Sequence, residues 1–211
     1  MPTVIAINGS PRKKGNTYLL LKTVCDELNK HGIDTEIINI GSEKISGCMA
    51  CYDCKKKKDL KCKISGDSFN NVFESCTKAD GILLGSPVFV GGMSAQMKAF
   101  IDRACLINKF NGEPLQRKPA AAVVAVRRNG ALETFNSINN FFTLSQMLVV
   151  GSSYWNQGIG KEKGEVLEDE EGIRTMTNLG KNMAWLLQKL ETNSSAEKLI
   201  EETPKKKKKK K

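Results

Sequence analysis

Short apolar runs alternate with amphipathic segments along most of the chain. Runs rich in valine, isoleucine, leucine and alanine predict buried strands at residues 3–8, 33–40, 81–87, 120–126 and 147–152. The segments between these runs repeat apolar residues every three or four positions, which predicts helices. Strands that are apolar along their length and alternate with helices indicate a parallel sheet covered on both faces. The pattern therefore predicts an α/β, doubly wound domain of five strands.

The predicted order of elements also indicates where a ligand would bind. Helices are expected to begin near residues 16, 67, 94, 130 and 173. In a doubly wound sheet, ligands bind beyond the carboxyl ends of the strands. The loops after strands one, three and four are thus the first candidates for a binding site.

The charge of the chain changes this picture little. The 211 residues carry a net charge of +10, but seven of the 33 basic residues are the consecutive lysines 205–211. The remainder is only mildly basic, so we expect no specific nucleic-acid partner. We expect one domain over residues 1–192 and a disordered polar and poly-lysine tail over residues 193–211.

The lengths of the hydrophobic runs also indicate where in the cell the protein is located. None approaches the roughly 20 residues that span a membrane, and no targeting segment precedes the first strand. We therefore expect no membrane association and a cytoplasmic location. Thiols stay reduced there, so clustered cysteines favour metal binding or catalysis over disulfides.

The loop after strand one, GSPRKKGNT at residues 9–17, has the composition of an anion site. It carries hydroxyl, amide and cationic side chains and leads into a helix N-terminus, whose free N–H groups attract anions. Asn16 stands where the nucleotide-triphosphate loop needs lysine, and the dinucleotide motif GxGxxG is absent. A site for a terminal monophosphate remains, with an ordinary strand-to-helix turn as the alternative.

The loops after strands three and four complement the first. After strand three, Pro87 is followed by an apolar run, residues 88–90, and by two glycines, which suits a flat apolar ring. A hydrophobic turn packed under a neighbouring loop is the alternative. After strand four, residues 127–130 (RRNG) offer donors for the polar edge of such a ring, or form a basic surface turn.

Four of the seven cysteines crowd into one polar segment, CMACYDCKKKKDLKC at residues 48–62. Cys48, Cys51, Cys54 and Cys62 have the spacing CxxCxxC with a fourth cysteine eight residues on, which favours an iron-sulfur cluster. Zinc accepts four thiolates equally well, and a redox disulfide or free thiols remain as further alternatives. The lysines of this segment are either a solvated loop or a docking surface for an acidic carrier.

Together these segments resemble the NADPH-dependent FMN reductase and flavodoxin-like superfamily. The matching stretches are GSPRKKGNT, SGCMACYDC, ADGILLGSPVFVGGMSAQMKAFIDR and VVGSSYWNQGIG, in that order. The cysteine spacing narrows the resemblance to the iron-sulfur flavoproteins. It implies a flavodoxin-like five-stranded sheet in the order 2-1-3-4-5, with a cysteine-rich loop insertion, residues 47–66, after strand two.

The resemblance also implies which residues bind the cofactors. FMN would contact three groups of residues, one in each loop: Ser10, Arg12, Lys14, Asn16 and Thr17; Ser86, Pro87, Val88, Phe89 and Gly91; Arg127, Arg128, Asn129 and Gly130. A 4Fe-4S cluster would be held by Cys48, Cys51, Cys54 and Cys62. No catalytic side chain is predicted, because the cofactors carry the electron transfer.

The implied function is that of an oxidoreductase. Electrons would pass between a carrier such as ferredoxin and an acceptor through cluster and flavin, in a homodimer or higher homo-oligomer. The alternative is an NAD(P)H-dependent FMN or quinone reductase whose cysteines hold no redox-active cluster.

Overall fold

The computed structural model describes residues 1–192 and contains a sheet flanked by helices. Its strands are β1 Thr3–Asn8, β2 Asp34–Asn39, β3 Gly81–Pro87, β4 Pro119–Val126, β5 Leu148–Val149 and β6 Gln157–Ile159. Its α-helices are α1 Asn16–Lys30, α2 Asp53–Lys57, α3 Phe69–Lys78, α4 Ala95–Phe110, α5 Ala131–Leu144 and α6 Glu170–Thr192. A 3-10 turn, Glu165–Glu168, precedes α6. The predicted tail lies outside the described residues.

The sheet has the predicted order. Neighbouring strands run β2-β1-β3-β4-β5, and all pairs are parallel. The predicted α/β flavodoxin-like arrangement is therefore confirmed. This order brings the loops after β1, β3 and β4 to one edge of the sheet, because the carboxyl ends of parallel strands meet there.

The edge strand differs from the prediction. Only Leu148–Val149 of the predicted strand 147–152 pairs with β4, and β6 pairs with the other end of β4. β5 and β6 are thus two parts of one edge strand, interrupted by residues 150–156. The prediction was wrong in extent because the chain turns toward α6, where the Ser152 hydroxyl donates to the Thr175 carbonyl at 2.6 Å.

Successive residues of a strand pack into two separate hydrophobic cores, one on each face of the sheet. In β1, Ile5 and Ile7 belong to the core that α3, α4 and α5 cover. Val4 and Ala6 belong to the core under α1 and α6. Burial on both faces explains why these strands read as continuous apolar runs rather than as alternating ones.

The predicted helix starts agree with the observed ones to within three residues. The Ser94 side chain caps α4 by accepting from the Met97 N–H at 3.3 Å, as expected of an N-cap serine. α1 begins at Asn16, as expected, and α3 begins at Phe69, two residues after the expected start near residue 67. Within residues 1–192, no helix combines the length and the apolar character that crossing a membrane requires.

Candidate functional site

The three predicted loops converge on one cavity of about 540 Å³ at the carboxyl edge of the sheet. Its lining includes eight residues predicted from the sequence: Ser10, Arg12, Asn16, Thr17, Pro87, Val88, Phe89 and Arg127. Five further residues complete it: Pro11, Ala125, Gly160, Lys161 and Glu162. The cavity therefore joins a polar end built by the first loop to an apolar end built by the loop after β3.

The polar end is a preformed turn ahead of α1. Asn8 accepts from the Ser10 N–H at 3.0 Å, and the Ser10 hydroxyl accepts from the Arg12 N–H at 3.2 Å. Gly15 caps α1 without a side-chain hydrogen bond, and the first turn of α1 holds no acidic residue. A helix N-terminus without a side-chain cap, beside an arginine and buried hydroxyls, is suited to an anion.

Close packing beneath this turn requires a glycine. A Cβ atom at Gly41 would lie 2.1 Å from the Ser10 carbonyl carbon, far inside contact distance. The segment that leaves β2 therefore touches the backbone of the first loop directly. Gly41 lets Ser10 keep its place in the cavity.

Asn16 lines the cavity and also binds a second loop. Its side-chain amide donates to the carbonyls of Gly160 and Glu162 at 3.0 and 2.9 Å, and its Oδ1 accepts from the Gly164 N–H at 2.8 Å. These bonds hold the loop 160–164 over the cavity and bring Lys161 to its wall. Sequence reasoning missed this loop, although its three glycines in GIGKEKG were a visible signal of close backbone approach.

The apolar end is a tight hairpin turn. Phe89 and Gly92 exchange both backbone hydrogen bonds, at 2.8 and 3.0 Å. Val90 and Gly91 between them have φ of 49° and 75°, as in a type I′ turn. A β-branched residue is strained there, so surrounding structure must hold the turn. Half of Phe89 stays exposed above the cavity.

Two predicted residues lie behind or outside this cavity. Ser86 is buried, and its hydroxyl donates to the Pro87 carbonyl at 2.8 Å and accepts from the Ser94 N–H at 2.9 Å. It therefore fixes the loop after β3 onto α4 rather than lining the cavity. Lys14 is exposed and lines neither this cavity nor its neighbour.

The remaining predicted residues surround an adjoining pocket. Gly91, Arg128 and Asn129 line it together with Val88, Val90 and Arg127, in a volume of about 390 Å³. Gly130 has φ of 91°, and a Cβ atom there would lie 2.9 Å from Val88 Cγ1. A glycine at this position lets the loop after β4 pack closely on the loop after β3.

The four clustered cysteines also come together. Cys48, Cys51, Cys54 and Cys62 line one small pocket against α4. Burial raises the pKa of the Cys54 thiol, and neighbouring Cys62 and Cys51 add to the rise. Within residues 1–192, however, no three His, Cys, Asp or Glu side chains form a group that would hold a metal ion. The four cysteines thus line one common pocket.

The cysteine segment holds its shape through left-handed residues and two asparagines. Ala50, Tyr52, Lys58 and Leu60 all have positive φ, between 50° and 60°. The Asn70 side chain bonds both the N–H and the carbonyl of Cys62, at 2.8 and 3.1 Å. Asn111 likewise donates to the Cys54 carbonyl and accepts from the Leu60 N–H. Such strained backbone concentrates at functional sites.

A buried ion pair fixes this segment to α4. Arg103, which also lines the cysteine pocket, is paired with Asp67 and donates to the Ser46 and Ile64 carbonyls at 3.2 and 3.0 Å. Burial acts to raise the pKa of Asp67, but the Arg103 hydrogen bond and charge outweigh it, and the pKa lies below its ordinary value. Arg103 thereby ties the start and the end of the cysteine segment to one helix.

The cysteine segment exposes many basic side chains. Lys55–Lys58, Lys61 and Lys63 are all exposed. The larger apolar side chains of Met49, Tyr52 and Leu60 are exposed in the same segment. A strongly basic surface of this kind attracts acidic partners.

Known proteins are similar to this chain over most of its length. A profile of the family described as NADPH-dependent FMN reductase covers residues 2–162. An iron-sulfur flavoprotein of Methanocaldococcus jannaschii is 39% identical over 188 residues, which are 86% of this chain and 95% of the relative. One from Methanosarcina thermophila is 30% identical over 191 residues, which are 90% and 97% of the two chains.

Solved structures show the same fold at low sequence identity. RosB with bound 8-demethyl-8-formylriboflavin-5'-phosphate has a TM-score of 0.72 at 16% identity, covering 97% of this chain and 90% of its own. A flavodoxin from the domain Archaea has a TM-score of 0.58 at 16% identity, covering 89% and 99%. This chain is an oxidoreductase that belongs to the NADPH-dependent FMN reductase family, and within it to the iron-sulfur flavoproteins.

Proposed function

We propose that this protein carries FMN and a 4Fe-4S cluster and transfers electrons between a carrier such as ferredoxin and an acceptor. The observation that carries the proposal is the gathering of all four motif cysteines around one pocket, in a chain whose carboxyl-edge cavity suits FMN. Its relatives are named iron-sulfur flavoproteins, which supports an iron-sulfur group together with a flavin.

The residues of the cavity fit FMN at both ends. Ser10, Arg12 and Thr17, with the uncapped N-terminus of α1, would hold the phosphate. Pro87, Val88 and Phe89 would face the ring, and Arg127 would lie at its edge. When bound, FMN supplies one- and two-electron redox chemistry, and a cation near the ring favours its anionic reduced form. Asn16 would support FMN binding indirectly, by holding the loop 160–164 in place.

The residues of the cysteine pocket fit a multi-atom cluster. The donor set is four thiols, and the Cys48 sulfur accepts a hydrogen bond from the Ala50 N–H at 3.4 Å. Four thiolates suit a zinc ion or a 4Fe-4S cluster, and the CxxCxxC spacing favours the cluster. When bound, the cluster supplies single-electron transfer.

The exposed lysines of the cysteine segment would receive the carrier. Six exposed lysines attract an acidic protein and speed its encounter, most strongly at low salt. A homodimer and a cytoplasmic location are also part of the proposal. Light scattering of the purified protein and fractionation of cells test these two points directly.

The alternative is an NAD(P)H-dependent FMN or quinone reductase without a redox-active cluster. The family match favours it, because that family is described as NADPH-dependent FMN reductase. A single assay distinguishes the two functions. Fast oxidation of NAD(P)H by a protein that contains FMN but neither iron nor sulfide supports the alternative.

The decisive experiment is anaerobic purification followed by assays of FMN, iron, zinc and acid-labile sulfide. We expect one FMN with about four irons and four sulfides per chain. One zinc without sulfide contradicts the cluster and leaves the flavin proposal standing. A Cys54→Ala variant should lose iron and keep FMN; loss of both would mean that the cysteine segment is needed for the fold.

A further inference from the structure

Arg103 is a buried arginine whose guanidinium group is held on several sides. Its side chain is 0% exposed. Nη1 donates to Asp67 and to the Ser46 carbonyl at 3.2 Å, and Nη2 donates to Asp67 at 3.2 Å and to the Ile64 carbonyl at 3.0 Å. The Phe69 ring lies against one face of the guanidinium, with its centroid 4.0 Å from Cζ. These hydrogen bonds occupy four of the five N–H groups of the arginine.

The fifth N–H group of this arginine has no acceptor. In residues 1–192, Nε of Arg103 makes no hydrogen bond, and it is closed off from solvent. Bulk water therefore cannot satisfy it. An unsatisfied buried donor is rare in native proteins, because it loses its hydrogen bonds to water and gains none in return. Such a donor indicates that the protein binds a group that accepts from it.

The unpaired N–H lies on the side of the guanidinium that adjoins the cysteine pocket. In the planar group, the Nε hydrogen shares an edge with Nη2, and Nη2 donates to Ile64, which lines that pocket. Arg103 lines the pocket too, together with Leu106 and Ile107 of α4. Residues three and four positions apart share one face of a helix. Arg103 therefore approaches the cysteines from the face of α4 that covers them.

The same pocket gathers sulfur atoms, which can accept this hydrogen bond. Its lining includes the four motif cysteines, Cys48, Cys51, Cys54 and Cys62. The segment already contains one N–H to sulfur contact, from Ala50 to Cys48. Hydrogen bonds to the sulfurs of an iron-sulfur cluster help to set its reduction potential. A donor raises that potential, because it stabilises the negative charge that the added electron brings.

We propose that Arg103 Nε donates a hydrogen bond to a sulfur of the 4Fe-4S cluster, either a sulfide or a cluster-bound cysteine, and thereby raises the reduction potential of the cluster. The inference rests on the proposed function, since it needs the cluster in the cysteine pocket. Asp67 balances the charge of the guanidinium, so the effect comes mainly from one directed hydrogen bond. The contacts of Nη1 and Nη2 hold the donor in place, so it need not reorient when an electron arrives.

Electron spin-echo spectroscopy of the native protein tests the contact directly. The full chain with its FMN and cluster is labelled with 15N in arginine alone and reduced with excess dithionite. We expect the echo of the reduced cluster to carry a 15N modulation from arginine. In the described chain, Arg103 is the one arginine that lines the cysteine pocket. Arg103→Lys should therefore lose the modulation.

A potential measurement tests the effect on the cluster. Arg103→Lys keeps a positive charge beside Asp67 but has no Nε–H group. It should shift the one-electron reduction equilibrium of the cluster about tenfold toward the oxidised form, which corresponds to a potential lower by about 59 mV. Arg174→Lys is the matched control, because it makes the same change on α6, at a 63% exposed side chain outside the cysteine pocket. Its cluster should keep the native potential.

Three results would overturn the inference. A complete cluster without an arginine 15N modulation excludes the hydrogen bond and makes a buried water the acceptor of Nε. Equal potentials in Arg103→Lys and Arg174→Lys exclude an effect on the cluster. Zinc without sulfide overturns the inference together with the proposed cluster, whereas the first two results leave the cluster standing. If Arg103→Lys does not fold, the 15N modulation of the native protein decides the question.

Discussion

The buried pair between Arg103 and Asp67 makes the sharpest test of how the cysteine segment is held. Both side chains are almost fully enclosed, at 0% and 5% exposed. The substitution Asp67→Asn keeps the shape of the side chain and removes its charge. Arg103 then stays buried with two backbone carbonyls as its remaining strong acceptors.

The expected loss of folding stability is large for the replacement of a single oxygen by an NH2 group. Removing one partner of a buried pair destabilises a protein by about 3–5 kcal/mol, and the retained amide oxygen places this case near about 3 kcal/mol. For a chain of this size, that corresponds to a melting temperature lower by about 6–12 °C. Thermal and urea unfolding of the full chain measure both quantities.

The chain supplies a matched control on the same helix. Lys98 and Asp102 form an ion pair at 2.6 Å, but their side chains are 55% and 42% exposed. Asp102→Asn should change the free energy of unfolding by no more than about 1 kcal/mol. If Asp67→Asn and Asp102→Asn destabilise equally, burial does not govern the strength of the pair and the reasoning fails.

The pH dependence follows from the direction of the pKa shift. The pKa of Asp67 is depressed in the folded state. Its contribution to stability is therefore fully present above the ordinary aspartate pKa of about 4, and is lost as the pH falls through the lower folded value. The difference in unfolding free energy between native protein and Asp67→Asn should thus shrink below about pH 4. A difference that stays constant down to pH 2 would contradict the assignment.

Three further predictions concern the flavin cavity and the thiols. Gly41→Ala should weaken FMN binding at least about tenfold, because the added Cβ displaces Ser10. Gly47→Ala is the control and should leave FMN binding unchanged, since the space around its Cβ is open. Equilibrium dialysis with FMN measures the affinity of both variants. Asn16→Leu should weaken FMN binding by a similar factor and increase proteolysis within residues 160–164, and unchanged proteolysis would refute its positioning role. Burial raises the pKa of Cys76 to about 12, so iodoacetamide at pH 8 should leave it unmodified while alkylating the exposed loop cysteines of cluster-free protein, as mass spectrometry will show.

The sequence predicted the framework because buried parallel strands leave a strong local signal. The central strands β1, β3 and β4 are enclosed on both faces, so their apolar runs stand out from the amphipathic helices between them. Once the strand order is known, topology alone brings residues 9–17, 87–92 and 125–130 to one edge. The cavity was predictable for that reason, without knowledge of any individual contact.

What the sequence missed depends on contacts between distant residues. Asp67 and Arg103 are 36 positions apart, and Asn16 and Gly164 are 148 apart, so no local pattern marks either pair. The short β6 was missed because its three residues, QGI, contain one large apolar side chain. The resemblance implied that Asn16 binds FMN, but it could not show the three hydrogen bonds that this side chain also makes to the loop 160–164.

Helix α4 connects the two candidate redox sites. At its N-terminus, Ser94 bonds Ser86 and so supports the apolar wall of the flavin cavity. Arg103, nine residues further on and about 14 Å along the axis, holds the cysteine segment, and Asn111 after the last turn binds it again. A helix is stiff along its axis, so the spacing of the two sites within one chain is set by its length. Variants that loosen the cysteine segment from α4 should therefore leave the flavin cavity intact, and equilibrium dialysis should find their affinity for FMN unchanged.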